Sequence, residues 1–158
     1  PKDARIWRNN PVIMKWCRQN ELISFNDQCL WEEKIATDPT IKMFGIMLDT
    51  YDPQWYPIGV CGLTSISMIH RSAEFSLYIG PEHQKHGYGA PALKELIKYG
   101  FNNLGLNRIW GEVFDGNPAM YIFEPLGFKK EGHLRQTYFK DGKFIDSDII
   151  GLLKEEYK

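Results

Sequence analysis

The stretch GPEHQKHGYGAPALKELIKYG, residues 80–100, sets Gln84, Lys85, His86, Gly87 and Gly89 within six positions directly before an apolar helical pattern. N–H groups in the first turn of a helix have no internal partner and lie at the positive end of the helix dipole, so glycines there let an anion come close to the main chain. A phosphate group is the expected guest. Two phosphate loops fail here. A P-loop ends Gly-Lys-Ser/Thr, and His86-Gly87-Tyr88-Gly89 offers neither the lysine nor the hydroxyl at those places. A dinucleotide fingerprint is formally met by residues 87–92, with Glu112 about 20 residues beyond as a ribose-binding acid. It is disfavoured because the preceding strand ends near Gly80, well before the first glycine, and because too little chain follows for a doubly wound sheet.

Other chemistries find less support. Of His70, His83, His86 and His133 only His83 and His86 are close, with no Cys or further His at zinc-ligand spacing, so no metal site is expected. Cys17, Cys29 and Cys61 are odd in number, widely spaced and set among apolar neighbours, and read as buried thiols of a reducing compartment. Nineteen Lys plus Arg against twenty Asp plus Glu, without a basic stripe, speaks against a nucleic-acid partner. No apolar run approaches the roughly 18 residues of a bilayer span, and PKDARIWRNN lacks the apolar core of a secretory signal. A soluble, cytoplasmic protein without a membrane partner is expected, and Pro1 in place of Met is read as a trimmed start. With 43% hydrophobic residues, the 158-residue chain can bury one core, so residues 1–158 are expected to form a single domain.

The elements that must position the loop follow from the hydrophobic period. Residues 11–19 and 27–37 read as helices, the second capped by Asn26 or Ser24 and stopped at Asp38-Pro39. Residues 42–48, 57–66 and 73–80 are short apolar runs bounded by turn residues, hence three successive strands. Leu93, Leu96, Ile97, Phe101 and Leu104 recur at three and four, the stripe of a helix over residues 87–103. A strand over residues 107–114, a short helix ending near Leu126-Gly127 and two strands around an Asp141-Gly142 turn complete the chain. The fold class is mixed α/β, or α+β: a mostly antiparallel sheet flanked by helices, with one strand-helix-strand crossover carrying the glycine loop.

PEHQKHGYGAPAL resembles the pyrophosphate loop of the GNAT superfamily of acyl-CoA N-acyltransferases, Gln/Arg-x-x-Gly-x-Gly/Ala, with Gln84, Gly87 and Gly89 in the fixed places. The resemblance continues through WRNNP, RSAEFSLYIGPEHQ, YGFNNLGLNRIWGEVFDGNPAM and LGFKKEGHLRQTYFKDGKFIDSDIIGLL, nearly the whole chain. It points to the branch holding ribosomal-protein N-terminal, spermidine and sugar-nucleotide amine acetyltransferases. The resemblance implies acetyl-CoA as cosubstrate, its pyrophosphate on the backbone of Gln84, Lys85, His86, Gly87, Tyr88, Gly89 and Ala90. It implies pairing of the pantetheine amides with Leu77, Tyr78 and Ile79, a contact from Asn117 and packing by Phe123. An open strand edge beside residues 77–79 would offer the free N–H and C=O groups that such an arm needs. Relatives of this kind often form homodimers.

The implied chemistry needs a base, because an alkylammonium has a pKa of about 10.4 and arrives protonated. Attack then builds an oxyanion for backbone N–H groups to hold, and the departing thiolate needs a proton. Glu112, a carboxylate inside the strand WGEVF, is costly to bury without a purpose and matches the position of the family's proposed base; as a structural residue it would join a buried network. Glu74 opens EFSLYI on the face opposite Leu77 and Ile79, and would otherwise pair with Arg71 or a Lys. The acid departs from the family pattern: IFEPLGF puts Phe123 where relatives carry Tyr, and the segment from Glu112 to Gly127 is one residue short. Tyr121 points to another side of its helix, leaving water or Tyr138 to supply the proton. Trp7, Arg8, Asn9, residues 51–56 and residues 135–138 are further candidates for the acceptor pocket. The expected activity is acetyl transfer to a primary amine of a small molecule, such as a polyamine, an aminosugar nucleotide or an amino-bearing antibiotic. The alternatives are a protein N-terminus as acceptor, or a silent acyl-CoA-binding sensor.

Overall fold

The computed structural model describes residues 2–48 and 56–157. Helix α1 (Lys2–Arg8) leads into α2 (Pro11–Met14), which Asn10 opens by accepting from the Val12 N–H, with Pro11 where a missing N–H costs nothing. Residues 11–19 were expected to be one helix; only four of them are. The reason lies far along the chain, where the Lys140 ammonium takes the carbonyls of Met14, Cys17 and Gln19 and draws that segment into a turn. Helix α3 (Phe25–Thr37) starts at a full capping box, Ser24 accepting from Asp27 N and the Asp27 carboxylate accepting from Ser24 N.

Strands β1 (Lys42–Met47), β2 (Pro57–Ser67), β3 (Ser72–Ile79), β4 (Arg108–Phe114), β5 (Lys129–Lys140) and β6 (Lys143–Leu153) form a six-stranded sheet in the order β1-β2-β3-β4-β6-β5. Only the β3–β4 pairing is parallel, as the single crossover predicted. The terminal hairpin is longer than its apolar pattern suggested, because β5 begins at Lys129 and alternates mostly exposed polar residues. The crossover helix α4 (Gly89–Lys98) starts two residues later than expected and widens into a π-helical turn (Tyr99–Asn103). There Gly100 sits so close to β4 that a Cβ would stand 2.8 Å from Ile109 Cδ1.

Both faces of the sheet are covered. Leu93, Ile97 and Phe101 from the crossover pack on Leu63, Ile109 and Leu152, all fully buried, each such side chain contributing about 1.5–3 kcal/mol. Alternate residues face the other way, where Val60 and Tyr78 meet Ala4, Trp7 and Ile13. Cys61 is buried, as expected, whereas Cys17 and Cys29 are only half-buried. Among the described residues no helix is long and apolar enough to cross a membrane.

Candidate active site

The sheet splits where the chemistry was expected. β3 and β4 pair through Ser72 with Arg108, Ala73 with Ile109 and Glu74 with Trp110, and the pairing stops there. Beyond it the Phe75 ring lies over Gly111, where a Cβ would be only 2.4 Å away. Leu77, Tyr78 and Ile79 go on pairing with Cys61, Val60 and Gly59 of β2, so their other edge faces the gap. Free amide groups along such an edge are what an amide-bearing arm can use. One of them is already taken: Gln84 Nε2 donates to the Ile79 carbonyl at 3.0 Å, tying the loop to the strand end.

From that tie the chain forms a concave run of donors. The N–H groups of residues 85–90 find no acceptor among the described residues, and α4 opens without a side-chain cap. Lys85 (φ +64°) and Gly87 (φ +83°) adopt left-handed backbone, and left-handed residues beside right-handed ones turn successive N–H groups to a common side. Gly87 is required by that torsion. Gly89 is not: its φ is ordinary, and a Cβ would meet nothing closer than Ile122 at 3.5 Å. The protein's own packing therefore leaves Gly89 unexplained, whereas close approach of an anion explains it. The His86 ring is exposed and stacks on Tyr88 at 5.7 Å.

The sequence-derived acid–base candidates converge. Glu112 Oε2 accepts from the Tyr138 hydroxyl at 2.9 Å and Glu112 Oε1 from the fully buried Ser147 Oγ at 2.6 Å. Arg18 bonds Glu74 and reaches Glu112 at 3.4 Å, so one guanidinium joins both carboxylates, whose side chains are 13% and 10% exposed. Glu74 thus pairs with Arg18 and not with Arg71, which donates to the Gly105 carbonyl. Burial, reinforced by the bond to Glu112, holds the Tyr138 phenol above its ordinary pKa. Burial works against the Arg18 charge, but the bond and attraction to Glu74 outweigh it and raise its pKa.

Phe123 is buried, its ring packed on Phe75 (5.2 Å) and Phe128 (5.8 Å), so no proton donor occupies that place; Tyr121 is 84% exposed and turned away. Asn117 Oδ1 accepts from Ala119 N in the turn that precedes α5 (Met120–Phe123), and Asn117 lines the cavity. That cavity, of about 800 Å³, lies between the sheet and α1–α3 and is lined by Arg8, Arg18, Trp31, Glu74, Tyr78 and Glu112 among others. Trp7, a pocket candidate by sequence, is instead buried against Gly80, with Nε1 donating to Glu82. Asn9 braces the Ile23 backbone from both sides. The candidates at residues 51–55 lie outside the described residues, and Tyr56 is exposed.

Residues 1–129 match the family model of the acetyltransferase (GNAT) domain. The chain belongs to the GNAT acetyltransferase family. It is 37% identical over 150 residues to the spermidine N(1)-acetyltransferase of Vibrio cholerae, covering 94% of this chain and 84% of that protein. It is 33% identical to the Escherichia coli K12 spermidine N(1)-acetyltransferase, over 94% of this chain and 78% of the relative. A crystal structure of the V. cholerae spermidine N-acetyltransferase with CoA and spermine superposes with a TM-score of 0.91 at 31% identity, over 99% of this chain and 90% of the other. This GNAT protein is an N-acetyltransferase, a family whose members draw the acetyl group from acetyl-CoA.

Sequence reasoning missed three residues of the candidate site: Arg18, Ser147 and Lys140. Ser147 was legible as a small polar residue two places from Ile145 and Ile149, on their face of the strand, in IDSDII. Arg18 and Lys140 carried no local signal, because the contacts that define them are distant in sequence, Arg18 with Glu74 and Lys140 with Met14.

Proposed function

We propose that this enzyme transfers the acetyl group of acetyl-CoA to a primary amine of a small molecule bound in the cavity beside Glu74 and Glu112. The observation that carries this reading is the split between β3 and β4, which opens from the unpartnered N–H run of residues 85–90 toward the Glu112 carboxylate. Acetyl-CoA supplies an acyl carbon activated as a thioester. The residues fit it. Backbone N–H groups of residues 85–90 would hold its pyrophosphate, the free edge of Leu77 and Tyr78 its amide arm, and Asn117 and Phe123 the wall alongside.

Glu112 is the base in this reading. It is poised to take a proton from the entering ammonium, directly or through one water, giving the free amine that can attack. Glu74 and Glu112 together hold a positive amine near the split, and Tyr138, protonated at neutral pH and bonded to Glu112, is the nearby phenol that can return a proton toward the thiolate side. The relatives' spermidine specificity supports a small amine as the acceptor.

The test is thiol release by the purified protein from acetyl-CoA with a panel of amines, together with calorimetry of CoA alone. Turnover with a small amine and CoA binding at residues 84–90 are expected. CoA binding without turnover by any amine would instead favour a silent sensor, the reading that a buried Phe123 in the tyrosine's place would fit.

A further inference from the structure

Resting on acetyl transfer to a small amine in this cavity, we infer that Arg18 and Arg8 select an acceptor whose amine is accompanied by an anionic group, a carboxylate or a phosphate, and turn the site away from polycations. The charges in the cavity point this way. Among the described residues its carboxylates are Asp27, Glu32, Glu74 and Glu112. Glu74 and Glu112, the two beside the split, already share the Arg18 guanidinium, and Glu112 also accepts from Tyr138 and Ser147. Any ammonium entering there competes with a cation tethered to the same chain, which acts at a high effective concentration, and only an acceptor that also carries an anion can pair with the guanidinium it displaces. Asp27 and Glu32 keep their charge, held on α3 by hydrogen bonds from Ser24 and Gln28, and are not the carboxylates beside the split. Arg18 itself is not loose, since the flanking turn is fixed through the Cys17 and Gln19 carbonyls on Lys140.

The cations of the cavity are placed differently. Arg8 lines it with Nε donating to Gln19 Oε1 at 3.2 Å and its guanidinium over the Tyr78 ring at 5.8 Å; among the described residues no carboxylate pairs with it. A guanidinium that faces a cavity and has no carboxylate partner of its own is a preformed fork for a carboxylate or phosphate, which it can bind through two parallel N–H bonds. Arg18, half exposed, presents its outer edge to the same space. The acceptor amine then lies at Glu112 and its anionic group toward Arg8 and Arg18.

The test compares kcat/KM for spermidine, hexylamine, 6-aminohexanoate and glucosamine 6-phosphate, and measures calorimetric binding of the same probes to the CoA-loaded protein. An anion-bearing amine should exceed spermidine by about tenfold or more, as one charge-assisted contact allows. Arg8→Gln and Arg18→Gln should each raise KM for that amine about 10- to 100-fold with a smaller change in kcat, and should lower its kcat/KM relative to that of hexylamine. Arg18→Glu should move the preference toward spermidine. Carboxylate and phosphate probes separate the two anion sources. A wild-type preference for spermidine over both anionic amines, or an unchanged ratio in Arg8→Gln and Arg18→Gln, overturns the inference. Absence of turnover with every amine would sink the transfer reading itself, and the binding preferences would still decide for or against the arginines.

Discussion

Tyr138 on β5 donates its phenolic hydrogen to Glu112 on β4 at 2.9 Å, reaching across the intervening strand β6. The bond joins the proposed base to a hydroxyl whose burial keeps its own proton in place. Replacing either partner separates the two roles. Glu112→Gln keeps the shape and an acceptor for Ser147 but removes the base, so kcat should fall by about 10²–10⁴ while the Kd of acetyl-CoA changes little. An unchanged kcat rules Glu112 out as the base.

Tyr138→Phe removes only the donor. If the phenol returns the proton to the leaving group, kcat should fall by about tenfold or more with any amine, because acid assistance is lost while Glu112 keeps Ser147 and Arg18. Steady-state rates with two amines of different basicity check this. An effect confined to the KM of one amine would assign Tyr138 to acceptor binding alone.

The glycine loop and the crossover were legible because their signals are local. Gly87 and Gly89 stand at a helix start, and the spacing of Leu93, Leu96 and Ile97 is the period of the helix they occupy. Glu112 was legible as a carboxylate inside an apolar strand. Arg18 was not, because nothing in CRQN announces that its guanidinium reaches a strand at Glu74. The early end of α2 was equally hidden: a sequence pattern cannot show that Lys140 from the last hairpin claims carbonyls which helical N–H groups would otherwise take.

Gly89 offers a test in which stability and binding part company. A Cβ fits at Gly89 at ordinary contact distances and its backbone is not left-handed, so Gly89→Ala should leave the free protein as stable or firmer by about 0.4–1 kcal/mol. If the N–H groups there hold the pyrophosphate as proposed, the added methyl group crowds them and CoA affinity should drop by about tenfold. Thermal unfolding and CoA calorimetry on one sample check both halves. Undiminished affinity would mean that no anion approaches the main chain at Gly89.

Lys140 is buried, and its ammonium serves the carbonyls of Met14, Cys17 and Gln19. Lys140→Met keeps the apolar stem and abandons those acceptors, which should cost about 1–3 kcal/mol and lower Tm by on the order of 5 °C. Because the freed turn carries Arg18, the KM for the amine should rise while the Kd of CoA, held on the far side of the split, stays put. Equal losses in both would mark Lys140 as a stabilising residue without influence on the acceptor pocket.

His133 links pH to the same site through the shape of β5. Leu134 pairs with Ser147 and Tyr138 with Ile145, so β5 advances four residues while β6 advances two, and the surplus forms a bulge with Gln136 at φ +52°. Asp146 fastens this bulge by accepting from Gln136 N at 2.7 Å. His133 in turn bridges Asp146 (3.0 Å) and Asp148 (2.6 Å), and Lys130 meets Asp148 at 2.8 Å. The bonds to Asp148 and Asp146 raise the His133 pKa above its ordinary 6.5, with Lys130 opposing. A raised imidazole pKa means that the charged, doubly bonded form favours the folded state. Its contribution is complete below about pH 6.5, the unfolded value, and fades as pH climbs through the folded value. His133→Gln should therefore lower Tm relative to wild type at about pH 6, and the gap should narrow steadily toward about pH 9. Since Tyr138 sits at the end of the braced bulge, the variant should also lose kcat at about pH 6 and approach wild type at higher pH. A Tm gap that stays constant across this range would show that the imidazolium does not hold the bulge.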